Sequence, residues 1–254
     1  MLQPTGLSVM RELGLEEQTL QFAQKIDTLY CRTLGGTVLL DLSYRDLDPA
    51  IFGLGTHRAS LLRLLLDAAT QAGSTIFWGE EIVSSTRDDK DTQTLTSKHD
   101  KQFGPFDLVL ICDGAQSILR KSSGLKARVD QYPWGALWFI GKRTEEFSHK
   151  TLWQCVGSTR ELAGFLPTGT EQDLLSLFWS IRLDQIEDWK SKPIKQWKDD
   201  LLRLVPQAET FLDQIQDHSQ LATATYHDVR MPCWHGKGTA ILGDAAHALS
   251  LIHI

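Results

Sequence analysis

Residues 106–120, Phe-Asp-Leu-Val-Leu-Ile-Cys-Asp-Gly-Ala-Gln-Ser-Ile-Leu-Arg, decide the fold. The run Leu108–Cys112 is apolar without a break and carries two β-branched residues in five. It is too short for a helix and lacks the alternation of a half-exposed strand. It therefore reads as a strand buried on both faces, as in the middle of a parallel sheet. Asp113-Gly114 turns the chain, and the residues after it are helix-compatible. Helical spacing would stack Asp113, Ser117 and Arg120 on one face. A carboxylate, a hydroxyl and a guanidinium beyond the carboxyl end of a parallel strand stand where α/β sheets bind ligands. Asp-Gly is also ordinary turn chemistry, and Ser and Arg are ordinary helix-surface residues, so this stretch alone leaves both readings open.

Parallel-sheet language returns near the other end of the chain. Thr239–Leu242 is a short apolar strand, and Gly243-Asp244-Ala245-Ala246-His247-Ala248 turns out of it into a helix start. An aspartate there, flanked by small residues, brings a hydrogen-bond acceptor close to ligand hydroxyls. A helix N-cap is the plainer reading of Asp244.

The segments between are placed by period and punctuation. Pro4–Leu15 forms an amphipathic helix with Thr5 as cap, Leu7, Met10 and Leu13 on a face and Gly14 as stop. Thr28–Tyr44 holds two strands around Gly35-Gly36. A leucine-rich helix runs from Ala59 to Gln71, with Gly73 beyond it. Arg58 precedes it, at the positive end of the helix dipole, a mildly unfavourable place (about 0.3–1 kcal/mol). An exposed arginine tolerates that; an arginine serving a bound phosphate explains it. Thr75–Phe103 reads as a hairpin with a polar turn at Arg87–Thr92. Ala127–Arg182 carries four alternating, aromatic-rich runs, an antiparallel sheet. Two helices opened by Pro193 and Pro206 follow, then a last strand over Ala222–Arg230.

Composition narrows the function. Of the 254 residues, 42% are hydrophobic and 23% charged, as in globular proteins, and the net charge is −6 without a basic run. Nucleic acid and anionic membrane surfaces are therefore poor partners. No apolar stretch approaches the length of a membrane span, and the amino terminus has no signal-peptide pattern. Cys31, Cys112, Cys155 and Cys233 are scattered with no CxxC, which fits reduced thiols in a cytoplasmic protein. No metal site with convincing spacing is visible; His227, Asp228, Asp244 and His247 have the residue types without it.

Three signals agree in order: Arg58 before a leucine helix, Asp113-Gly114 with Ser117 and Arg120, and Gly243-Asp244. Together they resemble the FAD-dependent aromatic-ring hydroxylases, the flavoprotein monooxygenases related to p-hydroxybenzoate hydroxylase. Asp113–Arg120 resembles that family's DG motif, DGxxSxxR; Gly243–Ala248 resembles its GD motif. Residues 1–15 resemble the segment after the second strand of its flavin domain. The resemblance implies an α/β fold: a partial, three-layer, Rossmann-like FAD-binding domain (1–126 and 232–254) with an inserted antiparallel substrate domain (127–231).

It also implies FAD as cofactor, NAD(P)H and O2 as co-substrates, and an aromatic or other apolar small molecule as substrate. Asp244 would accept from the flavin ribityl chain and Arg58 would lie near the pyrophosphate. Asp113, with Gly114, Ser117 and Gly243, would support the phosphate region through Arg120 and neighbouring backbone. Guanidinium meets phosphate, and acceptors meet hydroxyls. Trp134, Trp138, Phe165 and Phe178 are candidates for an apolar pocket, although aromatics on a sheet are more often core. Period two puts Phe178 and Trp179 on opposite faces, so at most one of them lines a pocket.

Two departures accompany the resemblance. No GxGxxG occurs, and Leu251–Ile254 does not fit the family's continuation past the GD motif. A fragment with weak or no FAD affinity of its own is expected. The rival readings are a flavin-dependent reductase or halogenase of the same fold, and a non-catalytic flavoprotein binding module.

Overall fold

The computed structural model describes residues 1–169 and 173–248. The segment 249–254, on which the expected departure at the carboxyl end rests, lies outside them. In chain order the elements begin with helices α1 (Pro4–Glu12) and α2 (Glu16–Phe22). Strands β1 (Gln24–Ile26), β2 (Thr28–Thr33), β3 (Val38–Ser43) and β4 (Gly53–Gly55) lead to α3 (Arg58–Gln71). Then come β5 (Ile82–Arg87), β6 (Gln93–Ser97), β7 (Gln102–Phe106), β8 (Val109–Ile111) and the short α4 (Leu119–Ser122). Four long strands follow: β9 (Arg128–Lys142), β10 (Thr151–Ser158), β11 (Glu161–Gly169) and β12 (Leu174–Arg182). The chain closes with α5 (Ile186–Ser191), α6 (Ile194–Leu204), α7 (Glu209–Leu212), β13 (Ala222–Arg230), β14 (His235–Gly236), β15 (Thr239–Ile241) and α8 (Asp244–His247).

Contacts divide the chain into two compact units, 1–74 with 135–224 and 75–134 with 225–254. These bounds are not those of the expected FAD and substrate segments. Strand β2 pairs with β10 in parallel, so residues 28–43 extend the large sheet, and β4 also packs against β11.

The large sheet runs β13-β9-β12-β11-β10-β2-β3, of which β12, β11, β10, β2 and β3 lie wholly in the first unit. The expected antiparallel sheet is thus seven-stranded and mixed. One face meets α5, α6 and α7 through Leu137, Phe139, Phe165, Leu175, Leu177 and Trp179 on the sheet and Trp189, Trp197, Leu201, Leu204 and Phe211 on the helices. Period two on the strands and period 3.6 on α6 deliver these side chains to one core. A smaller core joins Leu7 and Met10 of α1 to Leu54 and the inner face of α3. Leu13, expected on the buried face of α1, is exposed, because that helix stops at Glu12 and turns at Gly14 with φ +71°. Gln3 rather than Thr5 occupies its N-cap, with Pro4 in the first turn.

The second unit holds a meander, β5-β6-β7, and a small sheet ordered β14-β15-β8. Strand β15 runs parallel to β8 with Thr239 opposite Val109 and Ile241 opposite Ile111. Between the β8–β15 pair and the meander lies a core that includes Val109, Ile111, Val229, Ile241, Ala245 and Ala246. Strand β8 corrects one expectation. Val109 and Ile111 are 7% and 2% exposed, but Leu110 is 55% exposed and Leu108 is also open. Among the described residues β8 has one neighbour and one covered face, so the apolar run is buried on a single side. The strand is also shorter than the expected Leu108–Cys112, running from Val109 to Ile111.

Candidate functional site

The two aspartate loops come together in the second unit. Ile111 and Ile241 end adjacent parallel strands, and the Leu242 amide donates to the Ile111 carbonyl at 2.9 Å. Asp113 therefore follows one strand end by two residues and Asp244 follows its neighbour by three. Both carboxylate-bearing residues are exposed. Gly114 takes φ +84° and Gly243 takes φ +58°, and no atom lies within 4 Å of where a Cβ would stand on either. Such loops let a bulky ligand approach backbone closely. No hydrogen bond among the described residues engages the Asp244 carboxylate. Asp244 is also not the helix cap: Gly243 holds that place, and its carbonyl accepts from the Ala246 and His247 amides.

The rest of the 113–120 stretch differs from expectation. Residues 113–118 are not helical, and α4 begins only at Leu119. Asp113 Oδ2 accepts from the Leu119 amide at 3.3 Å, and Ser117 Oγ from the Arg120 amide at 2.9 Å. Side-chain oxygens that satisfy the first amides of a helix compete with helix formation across their own positions. The expected common face of Asp113, Ser117 and Arg120 is thereby replaced by a capped turn.

Arg120 is only 3% exposed, and its guanidinium donates to the Ala115 and Ala245 carbonyls, both at 2.7 Å. It ties one aspartate loop to the other. Burial lowers its pKa, and the Asp113 carboxylate partly restores it. Two carbonyl acceptors and a nearby carboxylate let a buried guanidinium stay charged.

In the first unit, His57 caps α3, its Nδ1 accepting from the Ala59 amide at 3.3 Å. Arg58 is thus the first helical residue, exposed, and close enough to the Met1 ammonium to add to the burial that lowers its pKa. The aromatic candidates separate by face. Phe165 is fully buried and stacked on Phe147 with ring centroids 4.3 Å apart, so it belongs to the helix-side core and not to a pocket. Trp179 is on that same side, in contact with Trp197. Trp138 and Phe178 lie on the other face, half-buried, with centroids 5.5 Å apart. Phe178 spreads over Gly164, its cross-strand partner; a Cβ on Gly164 would overlap the ring. That glycine had no sequence signal beyond its place in a strand. Trp134 is half-buried and lies in the second unit.

Among the described residues no three His, Cys, Asp or Glu side chains converge as a metal site, and no helix is long and apolar enough to cross a membrane. All four cysteines are free thiols.

Comparison with solved structures gives the fold its relatives. The tetrameric form of 2-methyl-3-hydroxypyridine-5-carboxylic acid oxygenase superposes with a TM-score of 0.82 at 19% identity, over 98% of this chain and 64% of that one. PqsL, a probable FAD-dependent monooxygenase from Pseudomonas aeruginosa, gives 0.83 at 19% identity over 98% and 68%. A variant of HpxO from Klebsiella pneumoniae, complexed with FAD, gives 0.77 at 17% identity over 97% and 65%. The chain thus spans about two-thirds of the length of these proteins. No curated protein matches it in sequence. The family model described as FAD binding domain matches residues 1–252, almost the whole chain, which therefore belongs to the FAD-binding domain family.

Proposed function

We propose that this chain is the cofactor-holding and substrate-facing portion of a monooxygenase that uses NAD(P)H and O2 to hydroxylate an aromatic or other apolar small molecule. The observation that carries the reading is the pair of aspartate loops at the ends of β8 and β15. Their open glycines and the uncommitted Asp244 carboxylate suit a long, hydroxyl-bearing phosphate cofactor such as FAD. When bound, FAD supplies the electron transfer and oxygen activation that side chains lack.

The residues then divide the work. Asp244 accepts from cofactor hydroxyls. Asp113 and Ser117 shape the first loop, and Arg120 fixes it against the second. Arg58, an exposed cation at the start of α3, is suited to a phosphate. Trp138 and Phe178 offer an apolar surface on the sheet face away from the helices, suited to receiving a planar ring and excluding water from it. Four free thiols fit a reducing cytoplasmic setting.

Titration with FAD, followed by quenching of flavin fluorescence, tests the cofactor half. Asp244→Ala should weaken binding about tenfold or more, the value of a hydrogen bond to a charged acceptor, with the circular dichroism unchanged. Equal affinity of the two proteins overturns the assignment. Oxygen uptake with NADPH or NADH tests the reaction: it should rise when a small aromatic is added, and uptake indifferent to aromatics overturns the proposal.

A further inference from the structure

A cleft of about 260 Å³ opens between the meander and the small mixed sheet of the second unit, built from residues that the cofactor reading does not use. Its floor is the buried amide of Gln93. The Nε2 of Gln93 donates to the Lys237 carbonyl at 3.1 Å, and its Oε1 accepts from Ser85 Oγ at 2.8 Å. Both ends of the amide are thus committed, and the β5–β6 hairpin is pinned to the turn between β14 and β15. Ser122 and Ser123, at the end of α4, form a hydroxyl-bearing wall. They donate to the Leu119 and Arg120 carbonyls, bonds that a hydroxyl exchanges by rotation.

Charge collects at the mouth. Arg87 and Lys237 both turn to one carboxylate, Asp91, each at 3.3 Å. Other exposed pairs of this chain range from 2.6 to 3.7 Å, and Arg45 and Lys150 share Asp27 in the same way. Asp91 thus faces two cations at once, and neither is drawn in to the roughly 2.7–2.9 Å of a full charge-assisted bond. Asp88 and Asp89 of the same turn are charged as well, but among the described residues neither pairs with Arg87 or Lys237. The Asp88 carboxylate is spent on the Lys90 and Thr92 amides and the Thr92 hydroxyl. Asp89 is exposed beside Lys90, where solvent screens it. Asp91 itself is held in left-handed backbone, φ +64°, a conformation that only a minority of non-glycine residues adopt.

We propose that this cleft binds a phosphate monoester, the phosphate between Arg87 and Lys237 in competition with Asp91, and its hydroxylated carbon skeleton against Ser122 and Ser123. The volume holds several water-sized units (~30 Å³ each), room for a sugar. A free sugar phosphate and the ribose-phosphate end of a nucleotide share this chemistry. The site is independent of the cofactor reading, because it uses neither aspartate loop.

The experiment is a titration of the full chain by amide NMR with ribose 5-phosphate, adenosine 5′-monophosphate and inorganic phosphate. Saturable shifts are expected at Gly124, Gly236 and Lys237, with Gly114 and Gly243 unmoved. Saturation by ribose 5-phosphate assigns a sugar phosphate, and saturation by the nucleotide alone assigns its ribose-phosphate end. Arg87→Gln and Lys237→Ala should each weaken binding about tenfold, and Asp91→Asn should strengthen it about threefold, by removing the competing charge. All three sites are exposed, and the dispersion of the spectrum reports the fold. No saturable shift at millimolar ligand overturns the proposal. So do shifts confined to Gly114 and Gly243, saturation by inorganic phosphate as tight as by either ester, or an Asp91→Asn protein that binds no better.

Discussion

Phe165 and Phe178 stand on neighbouring strands of one sheet, and a single step of parity separates their fates. Phe165 points to α7 and is wholly enclosed; Phe178, paired with Gly164, points the other way and stays half-buried. Phe165→Ala should cost about 3–5 kcal/mol in denaturant unfolding, the usual range for a phenylalanine cavity in a packed core. Phe178→Ala should cost under about 2 kcal/mol by the same measurement, and its main effect should be weaker binding of aromatic ligands. Arg120 makes the opposite point about a charged residue. Its two bonds to the Ala115 and Ala245 carbonyls end inside the protein, so its truncation leaves two acceptors without a donor. Arg120→Ala should lower stability by roughly 3 kcal/mol, at about 1–3 kcal/mol per stranded group. Arg120→Lys should recover only a fraction of this, since one ammonium lacks the fork that spans two carbonyls. Thermal unfolding of both variants checks the order.

At the scale of elements, close approaches and turns decide what a strand is able to do. A Cβ on Gly55 would overlap the Pro167 carbonyl oxygen, which binds β4 tightly to β11 in the first unit. Gly55→Ala must push these backbones apart and should destabilise that unit by about 1–3 kcal/mol, read as a lower unfolding midpoint. The Arg87–Thr92 turn is organised by Asp88, whose carboxyl is held below its usual range, first by the Thr92 amide and then by the Thr92 hydroxyl. A depressed folded value means that this contribution is present above the unfolded pKa and is lost as pH falls through the folded one. The Thr92 amide resonance should therefore titrate with a midpoint below that of an ordinary aspartate; a midpoint at or above it would contradict the capping geometry. Local chemistry of this kind was partly legible. The alternating runs of β10, β11 and β12 and the proline-opened α6 could be read because period and punctuation act within a few residues. Residues 113–118 could not, because helical spacing there competes with Asp113 and Ser117 as caps, and spacing alone does not say which wins. Apolar content likewise marked β8 as a strand, but burial of its two faces depends on neighbours that a short run does not name.

Across the whole molecule, long-range pairing was the least legible feature. Nothing near Thr28 announces that β2 will lie parallel to β10, more than a hundred residues away, and that pairing moves residues 28–43 into the larger sheet. The neighbouring placement of Asp113 and Asp244 followed from the family resemblance of their two stretches to motifs that serve one cofactor; the strand–turn pattern of either stretch alone left it open. The cysteines give a way to follow the two units separately. Cys31 and Cys155 are buried in the first, and burial raises both thiol pKa values; Cys155 adds to the effect at Cys31, while Arg32 offsets some of it at Cys155. Cys112 and Cys233 are exposed in the second. A thiol reacts as its thiolate, so burial and a raised pKa both slow it. Near neutral pH a disulfide reagent should therefore label Cys112 and Cys233 promptly and reach Cys31 and Cys155 only when the first unit opens. Phe165→Ala and Gly55→Ala should speed the slow phase, because each weakens the unit that shelters those thiols. Arg120→Ala should leave it unchanged, since its carbonyl partners lie in the other unit. A slow phase equally sensitive to all three substitutions would mean that the chain opens as a single cooperative body.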